Sequence, residues 1–261
     1  MDWTLLIDFI RQRDPDFLTA VEGVPDDELA ALLAEAGVRL PASYLAFLRQ
    51  MGVDSNGYHP FGATLEHDLG ALVERLDEND EDEGHAPPPD RFFPVALETD
   101  ESLETLQDCY LDLQRVDGDD AALVWLEAGV PFAWQKPVDA AETFEERLVN
   151  SAFNRFQLRH CVERDVVALR GEKQPGEGRA ALQQALALLQ RAGFEPVLPV
   201  RGRVACLQAD GLSVLARVNE NYELLTMQLG GSERAAVKEL ADQLLASLPG
   251  ARRPAGPRNL D

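Results

Sequence analysis

The chain has 261 residues, of which 45% are hydrophobic and 27% charged, and its formal net charge is −22. That length holds one large domain or two of ordinary size, and either buries a proper core. No apolar run approaches the roughly 18 residues of a membrane span, and so negative a chain lacks the basic footprint that phosphate binding needs, which argues against nucleic acid as a direct partner.

The charge is unevenly placed. Residues 1–160 hold 34 acids and 11 bases, whereas 161–261 hold 12 acids and 13 bases. Such an asymmetry suggests two units with different tasks. The start, MDWTLLIDFIRQRD, has no basic n-region and no small-residue cleavage site, so it does not read as a secretion signal and cytoplasmic residence is expected. Three cysteines, Cys109, Cys161 and Cys206, are spaced 52 and 45 residues apart. That matches no metal or redox motif and suits small buried side chains in a reducing compartment.

In chain order, Asp2 to Arg13 predicts a helix with Trp3, Leu6, Ile7 and Ile10 along one face, broken by Asp14-Pro15. Pro25 opens a second helix with acids in its first turn, running to about Ala36 and stopped by Gly37. A third, Pro41 to Met51, carries Tyr44, Leu45, Phe47 and Leu48 at helical spacing and ends on Gly52. Asp54 to Gly57 is a turn, Tyr58 to Ala63 a candidate short strand, and Leu65 to Leu76 a helix. From Asp77 to Asp90 the sequence DENDEDEGHAPPPD offers little to bury and reads as an exposed acidic loop.

Four strand-like runs follow: Phe92 to Leu97, Cys109 to Val116, Ala122 to Ala128 and Val130 to Gln135. Asp139 to about Phe156 predicts a closing helix. Val162 to Leu169 is a strand or a linking segment. The pattern then restarts with a helix over Arg179 to Ala192, ended by Gly193. Strands are expected at Pro196 to Val200, Arg203 to Gln208, Leu212 to Val218 and Tyr222 to Leu229, and Ser232 is expected to cap a last helix ending near Leu248. The expected division is a first domain over 1–160, a smaller α+β domain (α-β-β-β-β-α) over 161–250 and a frayed tail over 251–261.

A search for chemistry finds no phosphate-binding glycine loop, no zinc-protease helix motif and no nucleophile elbow. The alternating oxygens of Asp77, Asn79 and Glu81 fail as a calcium loop, because the sixth position is Asp82 rather than glycine and the twelfth is Pro88. His59 and His67 lie eight apart and can approach, but two imidazoles without a third fixed ligand are weak evidence for a metal. The adjacent pair His160-Cys161 makes a poor dyad, since neighbours on a strand point to opposite faces. No catalytic, cofactor-binding or metal-binding residues are therefore expected, and the chain reads as a non-enzyme.

Two features suit binding instead. The acidic loop is either a solvated insertion or a docking surface for a basic protein, with Asp77, Glu78, Asp80, Glu81, Asp82 and Glu83 supplying charge and Asp117, Asp119 and Asp120 forming a second patch. Trp125 and Trp134 are either core residues or, where exposed, aromatic anchors for a partner.

The order of elements resembles the SUKH superfamily, which includes the Smi/Knr cell-wall-assembly regulators and many bacterial immunity proteins. The resemblance rests on Leu40-Pro41, then Tyr44-Leu45-Ala46-Phe47-Leu48, then Asn56-Gly57, and on Tyr110-Leu111-Asp112-Leu113 followed by an acidic-glycine turn and a strand bearing Trp125. It covers about residues 20–156. The sequence departs from the pattern at SLETLQDC, which reads as more helical than the usual glycine-rich approach. Residues 175–250 lie outside the resemblance. It implies an α+β fold with a mixed β-sheet flanked by helices, and a cytoplasmic protein that binds and neutralises a basic, nuclease-like toxin. The alternative it leaves open is a regulator or scaffold that binds a cellular protein, with the second domain mediating oligomerisation or recruitment. Neither a membrane nor a cofactor is implied.

Overall fold

The computed structural model describes residues 3–81, 86–100, 102–171, 174–199 and 202–254. The fold is α+β, built on two five-stranded sheets. The chain separates into two compact units: Pro15–Arg147, and Asp2–Asp14 together with Leu148–Asp261. The division therefore lies inside a helix near residue 147 rather than at 160, and the N-terminal helix groups with the second unit. Reckoned this way, unit 1 carries 31 acids against 7 bases, a net −24, and unit 2 carries 15 acids against 17 bases, a net +2.

Unit 1 contains α2 (Asp26–Ala36), α3 (Ala42–Met51), β1 (Leu65–Glu66), α4 (Leu69–Glu81), β2 (Phe92–Glu98), β3 (Gln107–Asp117), β4 (Asp120–Glu127), β5 (Val138–Thr143) and the start of α5 (Phe144–Phe156). Its sheet runs in order β1-β2-β3-β4-β5. Every pairing is antiparallel, so the sheet is a meander and not the mixed sheet expected. From β2 to β5 the short connections enforce this, because a parallel pair needs a long crossover, whereas β1 reaches β2 through α4.

Tyr44 and Phe47 of α3 and Phe144 of α5 pack edge-on, with ring centroids 5.1 and 5.6 Å apart, and Tyr44 meets Phe93 of β2 at 5.9 Å. All four rings are buried. The helix Pro41 to Met51 is thus scaffold, as its spacing predicts. Gly37 ends α2 in the left-handed conformation, φ +63°, with its N–H on the Leu33 carbonyl. Gly52 ends α3 differently. Its φ is an ordinary −82°, but a Cβ there would sit 2.7 Å from the Leu48 carbonyl oxygen and 2.8 Å from Val24 Cγ2. The missing side chain leaves room for the segment before α2, whose Val24 N–H bonds Leu48 O at 2.9 Å.

Three local expectations fail in this unit. Tyr58 to Ala63 is irregular, and the strand forms two residues later as β1. Val130 to Gln135 contains only a short 3-10 turn, Phe132–Trp134; Pro131 has no N–H to give a ladder. The strand lies at β5 instead, within the stretch expected to be helical, so α5 begins at Phe144. Residues 102–105 of SLETLQDC form a turn, and Gln107 already opens β3.

Unit 2 contains α1 (Trp3–Arg13), the rest of α5, β6 (Glu163–Arg170), α6 (Glu177–Arg191), β7 (Glu195–Pro196), β8 (Val204–Ala209), β9 (Leu212–Asn219), β10 (Leu224–Gly231) and α7 (Arg234–Ser247). Its sheet order is β6-β10-β9-β8-β7, again antiparallel. The undecided segment after Val162 is therefore an edge strand, added to the expected α-β-β-β-β-α series. Helices α6 and α7 bury Leu182, Leu186, Leu189, Val237, Leu240 and Leu244 against one face. On the other face Phe9 of α1 stacks on Phe153 of α5 at 5.8 Å. Arg13 joins these layers, donating to Gln157 at 2.7 Å and to Gln208 of β8 at 3.0 Å. Glu233, not Ser232, occupies the N-cap of α7, and no side chain caps it. The expected tail is not frayed at its start, where Arg252 pairs with Ala168 and Arg253 with Asp165 and Asp242, and residues 255–261 lie outside the described residues. No helix among the described residues is long and apolar enough to cross a membrane.

Candidate protein-binding surface

The sequence-predicted acidic patches separate in the structure. Asp77, Glu78, Asp80 and Glu81 belong to the backbone of α4, so the helix runs five residues further than expected and this part of the stretch is not a loop. Asp82 and Glu83 lie outside the described residues.

The second patch sits at the β3–β4 turn. Asp117 and Asp119 are exposed, and Gly118 takes φ +62° to close the turn. Asp120 is different. It is buried, and its carboxylate accepts from the Ser43 hydroxyl at 2.9 Å and from the Glu145 N–H at 3.2 Å. Burial raises its pKa, opposed by hydrogen bonds from Thr143 and Ser43. Asp120 therefore satisfies the exposed N–H end of α5 from a distant strand, a structural task. It presents no charge to a partner, and the expected patch reduces to Asp117 and Asp119.

The tryptophans also part company. Trp125 is half-buried on β4, with the Arg147 guanidinium 5.8 Å from its ring centroid. It is paired with Cys109, which is buried, and with Val138, which is exposed. Trp134 is 81% exposed. It stands on the 3-10 turn of the β4–β5 connection. Phe132 anchors that turn by packing on Phe92, centroids 5.4 Å apart, beside Tyr110, Val124 and Leu126. Gln135 pins the turn's far side, accepting from the Glu127 N–H at 2.7 Å and donating to Val130 O at 2.9 Å.

Sequence reading missed Leu103, which is 46% exposed in the neighbouring β2–β3 connection. The two connections lie side by side: Ala128 N–H bonds Leu106 O at 3.0 Å, and Gln107 pairs with Glu127. Asp100 folds the β2–β3 connection by accepting from Ser102, which holds its carboxyl below the usual range. The signal available in sequence was an apolar residue inside an otherwise polar turn, which is too common to single out. Trp134 and Leu103 thus share one end of the sheet, whereas Asp117 and Asp119 mark the other, at the far end of β3 and β4.

His59 and His67 do approach, with ring centroids 5.5 Å apart, beside a polar cleft of about 520 Å³ that includes Asp54, Glu66 and Asp68. His67 is buried, with Nδ1 3.4 Å from Leu65 O and Nε2 3.2 Å from the Ser55 hydroxyl. Burial depresses its pKa, so it is a neutral core histidine. Among the described residues, no group of three or more His, Cys, Asp or Glu side chains is arranged to hold a metal ion. Cys109 and Cys206 are buried thiols, and burial raises both.

No protein-family model matches this chain, and no curated protein matches it either.

Proposed function

We propose that the chain is a non-enzymatic, cytoplasmic protein-binding protein whose acidic unit captures and neutralises a basic, nuclease-like toxin domain, as the SUKH resemblance implies. The observation that carries this reading is the segregation of charge: a net −24 confined to one compact unit and +2 on the other. A toxin that holds a phosphate backbone must present Lys and Arg densely. A surface of opposite sign speeds encounter with it and competes for the same residues.

The test is protection. A neighbouring gene for a large secreted protein with a variable basic C-terminal domain would supply the candidate toxin, and the protein is then co-expressed with that domain. Restored growth supports the reading. Continued killing, with the protein folded and abundant, sinks it. The separate, nearly neutral core of unit 2 favours one variant, a regulator whose second unit recruits another protein. A stable higher oligomer by light scattering supports that variant.

A further inference from the structure

We infer that the partner docks on the end of the unit 1 sheet formed by the β2–β3 and β4–β5 connections, and that this rim takes an arginine-bearing surface of a basic protein. The inference rests on the protein-binding reading above.

Three observations converge there. First, Trp134 offers nearly its whole ring to solvent, 81% exposed, from a turn fixed by Phe132 and Gln135. A large aromatic on a rigid mount loses little freedom on binding, which makes it an efficient anchor. Second, Leu103 stands exposed on the adjoining connection, held beside the first by the Ala128–Leu106 hydrogen bond. Third, the local charge is one-sided. In sequence, residues 98–107 and 127–139 contain six acids and one base, Lys136; of the acids, Asp139 is paired with Arg115 and Glu101 lies outside the described residues. Glu104 and Glu127 are both exposed.

An exposed indole on an acid-rich rim is complementary to guanidinium. Arginine stacks flat on tryptophan while its fork pairs with a carboxylate, and lysine does only the second well. The exposed tips Asp117 and Asp119 lie at the opposite end of the same strands, away from Trp134, so they steer without anchoring.

The experiment titrates the full-length, 15N-labelled protein with an arginine- and leucine-bearing peptide, its lysine counterpart and an acidic control of equal length. Amide shifts are expected to concentrate in 102–106 and 127–138. The arginine peptide should bind about 2- to 5-fold tighter than the lysine peptide. Trp134→Ala should weaken it roughly 10-fold with the far-UV spectrum unchanged, because the side chain is exposed. Glu104→Lys with Glu127→Lys should weaken it further, and Asp117→Lys with Asp119→Lys should leave the shift pattern in place. Shifts centred on 117–119, wild-type binding by Trp134→Ala, or no localised shifts would each overturn the assignment. Those results leave the toxin-neutralisation reading standing, since that is decided by growth protection. Loss of protection with the rim still binding arginine would remove that reading and keep the surface.

Discussion

The carboxylate of Asp120 accepts the Ser43 hydroxyl at 2.9 Å, tying the β3–β4 turn to the first turn of α3. The backbone repeats the link, with Ser43 N–H on Asp119 O at 3.0 Å. Two acids one residue apart therefore do different work: Asp119 contributes its carbonyl and leaves its side chain in water, and Asp120 turns its side chain inward.

Asp120→Ala leaves a buried hydroxyl and a helix N–H without their acceptor and should cost about 2–3 kcal/mol in urea unfolding. Asp119→Ala should change stability by no more than about 0.5 kcal/mol. Because burial raises the folded pKa of Asp120, its contribution is fully present below the ordinary aspartate pKa and is lost as pH rises through the folded value. Asp120→Asn should therefore flatten the pH dependence of the urea midpoint in that acid window. An unchanged slope would show that another carboxyl dominates there.

His67 has the opposite sign. Burial, with His59 pushing the same way, holds its imidazole below the ordinary histidine value. Below about pH 6.5 the unfolded chain takes a proton that the folded chain refuses, so stability is lost as pH falls towards the folded value. His67→Gln should remove part of that loss. The check compares the urea midpoints of the two proteins at about pH 7.5 and about pH 5.5, either side of the histidine range. Parallel behaviour would rule His67 out as the source.

Two glycines end successive helices for different reasons, and alanine separates them. Gly37→Ala imposes a side chain on a left-handed residue with open space around it, which should cost about 1 kcal/mol. Gly52→Ala meets no dihedral penalty but drives a methyl into Leu48 O and Val24. It should cost about 1–3 kcal/mol and weaken protection of the Val24 amide in hydrogen exchange. Equal costs with the Val24 amide unaffected would contradict the close approach.

Removal of residues 1–14 should destabilise unit 2 and spare unit 1, since Phe9 and Arg13 pack on Phe153, Gln157 and Gln208. Arg13→Ala should reproduce about 1–2 kcal/mol of that loss, as two charge-assisted hydrogen bonds go. Amide exchange read separately in β8 and β3 makes the distinction. Equal acceleration in both strands would contradict it.

The helices and most strands were legible because their signals are local. The apolar spacing of Tyr44, Phe47 and Leu48 and the breakers around them state α3 outright. The edge strand β5 was not legible: VDAAET has the composition of a helix start, and it is extended because β4 is there to pair with it. Asp117, Asp119 and Asp120 illustrate the same limit at the candidate surface. Sequence puts three acids at one turn, but only the fold shows that one of them faces a helix end. Trp134 is expected on a strand but stands on a 3-10 turn, and it is exposed because Phe132 takes the buried place, which no local pattern states.

The grouping of Asp2–Asp14 with Leu148–Asp261 makes unit 1 an insertion within unit 2. The order of synthesis then differs from the order of assembly. Unit 1 is complete once Arg147 has emerged, but α1, made first, has no sheet to dock on until β8 and β9 follow. At about 5–20 residues per second, α7 follows unit 1 by on the order of 10 s. During that interval the acidic unit can already be folded on the ribosome, with an unpaired amphipathic helix waiting ahead of it.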